Sequence, residues 1–180
     1  MRRTGSLVLA ALIGLPLALA AQAGGSANPI SETYRGTAAR YAANIVKAFE
    51  AMPADKYGFK PTDAQLTFGF VAHHIAQANY ALCSAIGGEK GATLPDRDGT
   101  EPKDTLIGEL KTSFDFCDRA MNKLTDDHLT DEVQMFGRSR PKAAAALGYV
   151  IDLVDHYSQL AIYLRLNGVL PPTAQRSGGS

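Results

Sequence analysis

Three side chains with metal-ligating chemistry lie on stretches of helical periodicity. His74 falls on the apolar face of the first stretch, whereas His73 falls about 100° away, nearer the boundary of that face. Asp152 and His156 are four residues apart on a second stretch, a spacing at which two side chains of one helix can converge on an ion. Together they would give a three-ligand metal site with positions free for water or substrate. On spacing alone, a core histidine that is hydrogen-bonded to a neighbouring carboxylate is a commoner arrangement than a metal ligand.

Other chemistries have less support in the sequence. It contains no Glu-x-x-His pair of the di-iron bundles, no Gly-x-Ser-x-Gly, no phosphate-binding loop and no His-Glu-x-x-His motif. Lysine plus arginine and aspartate plus glutamate number 18 each, so no net charge favours nucleic acid. No catalytic residue is identified; Tyr157 and Arg165 are the nearest candidates for an acid or base.

The elements that would position these residues are helices. Proline, glycine and capping residues divide the apolar periodicity into four stretches, at about 31–52, 62–86, 102–121 and 141–167. Residues 88–101 are expected to form a surface loop, and 124–140 an irregular polar segment with one short turn at about 133–136. No stretch is typical of a strand. The predicted fold is an all-α, antiparallel four-helix bundle.

The N-terminus has the features of a secretory signal peptide. Arg2 and Arg3 precede an uncharged apolar run over residues 7–20, and an Ala-x-Ala site ends at Ala23. The run is too short to span a bilayer comfortably. We therefore expect a signal peptide over 1–23, the bundle over 24–172 and a flexible tail over 173–180. The expected location is periplasmic or secreted, without a membrane anchor after cleavage.

Export changes the interpretation of the two cysteines. An oxidising compartment permits a disulfide between Cys83 and Cys117, the only cysteines of the chain. They do not form a Cys-x-x-Cys pair, so a redox motif is not indicated. We expect the disulfide; the alternative is two buried free thiols on facing helices.

Several segments are similar to one protein superfamily. The segment 52–62 (MPADKYGFKPT) resembles the junction between the first two helices of the DinB-like superfamily. The segment 70–76 (FVAHHIA) is similar to the first metal-histidine segment of that superfamily, and NYALCS follows at 79–84. The segment 155–168 (DHYSQLAIYLRLNG) resembles its final helix. The resemblance is to the metal-binding DinB/YfiT-like four-helix proteins.

The resemblance implies a divalent metal held by three histidines, one from helix two and two from helix four. Carried over by position, the ligands are His74, residue 152 and His156. This sequence departs from the pattern because residue 152 is aspartate. Two histidines and a carboxylate suit Zn, Fe, Mn or Ni as a divalent ion. Alternatively, the site is degenerate, and Asp152 pairs with a protonated His156 or with water.

Two classes of function stay open at this stage. The first is an exported metal-dependent enzyme, a transferase or hydrolase acting on a small molecule. The second is a non-catalytic helical module that binds a small molecule or a protein. Characterised relatives include thiol-cofactor transferases and a mycothiol-dependent isomerase, but such thiol cofactors are mainly cytosolic. Some relatives form dimers, so a homodimer is a further expectation; nucleic acid is not an expected partner.

Overall fold

The computed structural model describes residues 26–175. The predicted signal peptide lies outside the described residues, as does the end of the predicted tail after Gln175. Within the described part, no helix combines the length and apolar character needed to cross a membrane.

Four long helices form the bundle, which confirms the predicted all-α class. They are α1 (Pro29–Ala51), α2 (Phe68–Gly87), α3 (Lys103–Asn122) and α4 (Lys142–Leu166). Short 3₁₀ turns lie at Ala54–Lys56, Asp126–His128 and Pro172–Ala174. The buried apolar side chains of all four helices form one continuous core.

Local capping explains where the helices begin and end. α2 begins after Thr67 rather than at the predicted start near residue 62, because the Thr67 side chain accepts a hydrogen bond from the Phe70 backbone N–H. The same helix ends at Gly88, whose φ of 72° is the left-handed conformation of a C-cap. Pro102 and Pro141 stand immediately before α3 and α4 as N-caps.

The direction of each helix follows from the contacts between them. On α2 and α4, Tyr163 donates to the Leu66 carbonyl at 3.0 Å, and His74 meets His156 further along, so this pair is antiparallel. By contrast, α2 and α3 run in the same direction, since Asn79 bonds Ser113 and Cys83 bonds Cys117 in the same order. A parallel neighbour requires a connection that returns along the bundle.

Residues 88–102, here called the strap, make that return along α2. Gly91 contacts Ser84 near the C-terminal end of α2, and Gly99 lies against Gly69 near its start. A Cβ atom on Gly69 would lie 2.2 Å from the Gly99 carbonyl oxygen, so this approach requires glycine. The expected surface loop is therefore a strap packed on a helix.

The expectation of no strand is wrong for one short element. Strands β1 (Glu132–Met135) and β2 (Arg138–Pro141) pair antiparallel, with Met135 opposite Arg138. A two-residue turn over Phe136 and Gly137 joins them, and both residues have positive φ, 49° and 72°. β1 alternates exposed polar and partly buried apolar residues over only four positions, and β2 is exposed throughout, so the pattern is too short to mark a strand clearly in the sequence.

The predicted disulfide is present. Cys83 on α2 and Cys117 on α3 are bonded, with Cα atoms 5.2 Å apart, and both are buried.

Near the C-terminus, the Tyr157 hydroxyl donates to Thr173 Oγ1 at 2.8 Å and accepts from the Thr173 backbone N–H. The first residues of the predicted tail thus lie against α4.

Candidate functional site

The fold brings the three predicted ligands together between α2 and α4. The His74 and His156 rings meet edge to face, with centroids 5.1 Å apart. Asp152 Oδ1 lies 3.6 Å from His156 Nε2, one helical turn away. Two helices that are distant in sequence therefore place two imidazoles and one carboxylate in a single cluster, here called the His/Asp cluster.

The His/Asp cluster is not a preformed chelate. Among residues 26–175, no group of three or more His, Cys, Asp or Glu side chains is arranged to hold a metal ion. The His156 Nδ1 atom faces Gln159 Oε1 at 3.4 Å, a long contact. Simultaneous ligation would therefore need side-chain movement, and the metal site stays a prediction.

Burial shifts the pKa values of His74 and Asp152. Desolvation lowers the pKa of His74, and the neighbouring His156 lowers it further, while Asp152 opposes both. These effects favour the neutral imidazole, which is the metal-binding form. Desolvation raises the pKa of Asp152 against the opposing influence of His156 and His74. Asp152 Oδ2 is buried and has no hydrogen-bond partner within the described residues.

Two open grooves reach the cluster from different sides. The first, about 490 Å³, includes His74 and Asp152 in its wall and is otherwise largely apolar; its lining also includes Ala78, Leu82, Met135 and Phe136. The second, about 460 Å³, includes His156 and is bordered by Leu66 and Tyr163. Side chains of the cluster are therefore accessible to small molecules while much of their surface stays desolvated.

The two adjacent histidines exchange their expected environments. His73, predicted nearer the boundary, is 2% exposed, whereas His74 is only partly buried. The reason is that the strap and α3 cover His73: its Nδ1 lies 2.7 Å from Glu109 Oε1, and Arg97 donates to Glu109 Oε2 at 2.7 Å. Apolar periodicity gave no signal for this ion-pair network, because the residues that bury His73 are polar and come from other segments.

Tyr157 and Arg165, the two candidates for an acid or base, form no hydrogen bond to the His/Asp cluster within residues 26–175. The Tyr157 hydroxyl is bonded to Thr173, and its ring packs against Tyr41 of α1. Arg165 donates to the Ala161 carbonyl of its own helix. Phe136, by contrast, lines the first groove and was not identified from the sequence, since its place there depends on the hairpin.

Comparison with known proteins gives one family match. A family model described as the DinB superfamily matches residues 38–160, which is more than half of the chain. This range contains His74, Asp152 and His156. No curated protein shows significant similarity to the chain.

Solved structures share the fold at low sequence identity. A DinB-like protein from Bacillus cereus ATCC 10987 superposes with a TM-score of 0.63 and 18% identity, over 78% of this chain and 95% of that one. A DinB-like protein from Bacillus subtilis gives 0.64 and 20%, over 80% and 99%. A mycothiol-dependent maleylpyruvate isomerase gives 0.57 and 16%, over 73% of this chain and 59% of that one. Identities this low establish similarity of fold alone.

Proposed function

Since this chain belongs to the DinB superfamily, we propose that it is an exported member that binds one divalent transition-metal ion, Zn, Fe, Mn or Ni. The proposed ligands are His74 from α2 and Asp152 and His156 from α4. Two imidazoles and one carboxylate are a donor set that such ions accept, and they leave further coordination positions for water or a substrate.

The observation that carries the proposal is that the Asp152 Oδ2 atom is buried and has no hydrogen-bond partner among residues 26–175. A carboxylate oxygen that is desolvated and lacks a hydrogen bond is costly, unless a cation or a bound molecule compensates it. The two imidazoles beside it, His74 and His156, are the side chains that would complete the coordination of such a cation.

The bound ion would supply Lewis acidity and lower the pKa of a bound water or thiol. The residues of this chain would hold the ion, keep His74 neutral and admit a substrate through the first groove. We propose a metal-dependent transferase or hydrolase acting on a small molecule. The mycothiol dependence of one structural neighbour would favour thiol chemistry, but an exported protein would not meet a cytosolic thiol cofactor, so activation of water is favoured.

Export is supported by two independent features. The pattern over 1–23 is that of a signal peptide, and a buried disulfide such as Cys83–Cys117 is typical of proteins outside the reducing cytosol. We expect N-terminal sequencing of protein recovered from the periplasm or medium to begin at Gly24. Recovery of an unprocessed cytosolic chain would contradict export.

A second candidate function is a non-catalytic binding module with a degenerate site. It is favoured by the approach of Asp152 to His156 at 3.6 Å together with the lack of a preformed chelate among residues 26–175. In that case Asp152 would pair with a protonated His156, and the grooves would bind a ligand without a metal.

Elemental analysis of protein purified without affinity metals tests the proposal. We expect about one equivalent of a transition metal in the wild type, and its loss in Asp152→Ala. Asp155→Ala is the matched control, because Asp155 is an exposed carboxylate on the same helix. Wild-type protein that stays free of metal after reconstitution would overturn the metal site and leave the binding module.

A further inference from the structure

One side of α4 carries a line of polar side chains that begins at the His/Asp cluster. Asp152, His156, Gln159 and Tyr163 are separated by steps of 4, 3 and 4 residues. At 100° per residue, these four positions fall within about 60° of one another around the helix axis. Side chains three or four residues apart on a helix are neighbours, so each member of the line can contact the next.

Three polar contacts connect this line to the loop before α2. His156 Nδ1 lies 3.4 Å from Gln159 Oε1, and Gln159 Nε2 lies 3.4 Å from the Tyr163 hydroxyl. The same hydroxyl lies 3.0 Å from the backbone carbonyl oxygen of Leu66. All four residues also belong to the wall of the second groove. We call these three contacts the Gln159 chain.

Tyr163 is fixed in place at the far end of the Gln159 chain. Its fully buried ring packs against Phe59 and Phe68, with ring centroids 6.0 and 6.2 Å away. Desolvation raises the pKa of Tyr163, and the opposing effect of Gln159 is smaller, so the phenol stays protonated at neutral pH. The Gln159 chain therefore always ends on a hydroxyl that has one proton to donate.

The direction of each hydrogen bond in the Gln159 chain follows from what the groups can donate. A carbonyl oxygen only accepts, so the hydroxyl proton of Tyr163 goes to Leu66. The Tyr163 oxygen is then an acceptor toward Gln159, which must present an amide N–H to it. The amide oxygen of Gln159 is left facing His156, where it can only accept. His156 Nδ1 therefore carries a proton and donates it to Gln159.

A proton on Nδ1 decides what the other ring nitrogen of His156 can do. A neutral imidazole has one N–H group, so the lone pair is then on Nε2. Nε2 is the atom that faces the His/Asp cluster, 3.6 Å from Asp152 Oδ1. A nitrogen lone pair and a carboxylate oxygen repel each other, and a cation bound by both would make the arrangement favourable.

We propose that Gln159 is a positioning residue of the metal site, which holds the His156 imidazole in its Nδ1–H tautomer and keeps Nε2 free to bind a cation. Tyr163 acts one step further away, by fixing the orientation of the Gln159 amide. A hydrogen bond from the second nitrogen of a metal-binding imidazole fixes both its tautomer and its ring orientation. The role of Gln159 toward a metal rests on the proposed function, whereas the tautomer is a property of the metal-free protein.

Nitrogen NMR of metal-free protein with isotope-labelled histidine tests the tautomer. The nitrogen shifts distinguish a protonated ring nitrogen from one with a lone pair, and a His156→Gln variant identifies the signals of His156. In alkaline buffer, where imidazoles are neutral, we expect the proton of wild-type His156 on Nδ1. Gln159→Leu is expected to lose this preference. A proton on Nε2 in the wild type, or an unchanged tautomer in Gln159→Leu, would overturn the proposal.

Gln65→Leu is the matched control for both measurements. Gln65 lies in the wall of the same groove, but its amide oxygen accepts a hydrogen bond from Thr62 instead of contacting His156. This variant removes a glutamine of the groove and should keep both the Nδ1–H tautomer and the metal affinity of the wild type. A change in Gln65→Leu as large as that in Gln159→Leu would contradict a specific role of Gln159.

Isothermal titration calorimetry with Zn²⁺ tests the effect on metal binding. We expect Gln159→Leu to bind Zn²⁺ about tenfold more weakly than the wild type. Tyr163→Phe should lose less affinity, because it releases the orientation of the amide without removing the amide. Gln159→Glu keeps an acceptor for the Nδ1 proton of His156, so it should bind Zn²⁺ at least as tightly as the wild type. Equal affinity of the wild type and Gln159→Leu would overturn the positioning role.

The two measurements separate the role of Gln159 from the existence of the metal site. A wild type that binds no Zn²⁺ would overturn the proposed function, and with it the role of Gln159 toward a metal. The spectrum of the metal-free protein would still decide the tautomer of His156. Conversely, a wild type that binds Zn²⁺ but carries the His156 proton on Nε2 before the metal is added would leave the metal site in place and overturn the role of Gln159.

Discussion

Asp152 approaches His156 through one carboxylate oxygen and leaves the other, Oδ2, buried without a partner among the described residues. The two residues lie one turn apart on α4, and His74 of α2 closes the third side of the cluster. Asp152 as a metal ligand and Asp152 as an ion-pair partner predict opposite effects of removing its charge.

Asp152→Asn is expected to raise the melting temperature of the metal-free protein by a few degrees, because it removes a desolvated carboxylate. After addition of the metal, the wild type should have the higher melting temperature, since only the wild type gains the full stabilisation by the ion. Thermal unfolding with and without metal measures both effects. A lower melting temperature of Asp152→Asn in metal-free buffer would indicate that Asp152 pairs with a protonated His156 instead.

Glu109 is expected to hold the strap on α2, because it contacts both His73 and Arg97. Glu109→Gln removes the charge that pairs with Arg97, so we expect amide hydrogen exchange over residues 88–102 to become about tenfold faster. Glu101→Gln is the milder control, because its contact with Arg97 is longer, at 3.4 Å. Unchanged exchange in Glu109→Gln would show that the glycine contacts alone hold the strap.

The disulfide between Cys83 and Cys117 is expected to stabilise the bundle by about 3–4 kcal/mol, since it closes a loop that includes the whole strap. Urea unfolding of the Cys83→Ala/Cys117→Ala double variant measures the loss. A reductant should lower the stability of the wild type to that of the double variant and leave the variant unchanged. Equal stability of oxidised wild type and variant would refute the contribution.

Phe136 occupies a position with positive φ that disfavours a bulky side chain, and it is 73% exposed. Asn-Gly is the preferred pair for such a turn, so Phe136→Asn should stabilise the protein by about 0.5–1 kcal/mol. Phe136→Ala keeps the unfavourable conformation and serves as the control in thermal unfolding. A lower melting temperature for Phe136→Asn would indicate that the ring contributes packing that outweighs the backbone cost.

Asp126 caps α1 from a distant segment, accepting hydrogen bonds from the backbone N–H groups of Ile30 and Ser31 at 3.1 and 2.8 Å. Desolvation raises the pKa of Asp126, but the hydrogen bonds from Ser31 and Ile30 outweigh it, so the pKa lies below its ordinary value. Because the pKa of Asp126 is lower in the folded state, its carboxylate stabilises the fold at pH values above the unfolded-state pKa of about 4. This stabilisation is lost as the pH falls through the folded-state pKa. Asp126→Asn should therefore lower the melting temperature at pH 7 and match the wild type at pH 2. A difference that persists at pH 2 would contradict this account.

The helices were predictable because their signals are local. Apolar residues at helical spacing, the prolines before α3 and α4, and Gly88 after α2 act through the backbone of their own segment. The residues of the His/Asp cluster were predictable for a related reason, since Asp152 and His156 are one turn apart and the resemblance supplied His74. The hairpin was missed because the alternation in β1 covers only four residues, β2 has none, and the turn contains Phe136 where Asn is usual.

The sequence alone determined the helical class, the cysteine pair and the identities of the candidate ligands, because periodicity, residue type and spacing are properties of short segments. The tertiary structure decided which histidine is buried. The strap returns along α2 because α3 runs parallel to it, and Glu109, which Arg97 of the strap holds, contacts His73. It also decided that Asp152 Oδ2 has no hydrogen-bond partner in the described part of the chain and that α4 exposes several large apolar side chains. Burial and pairing depend on which segments meet, and that is settled only when the whole core packs.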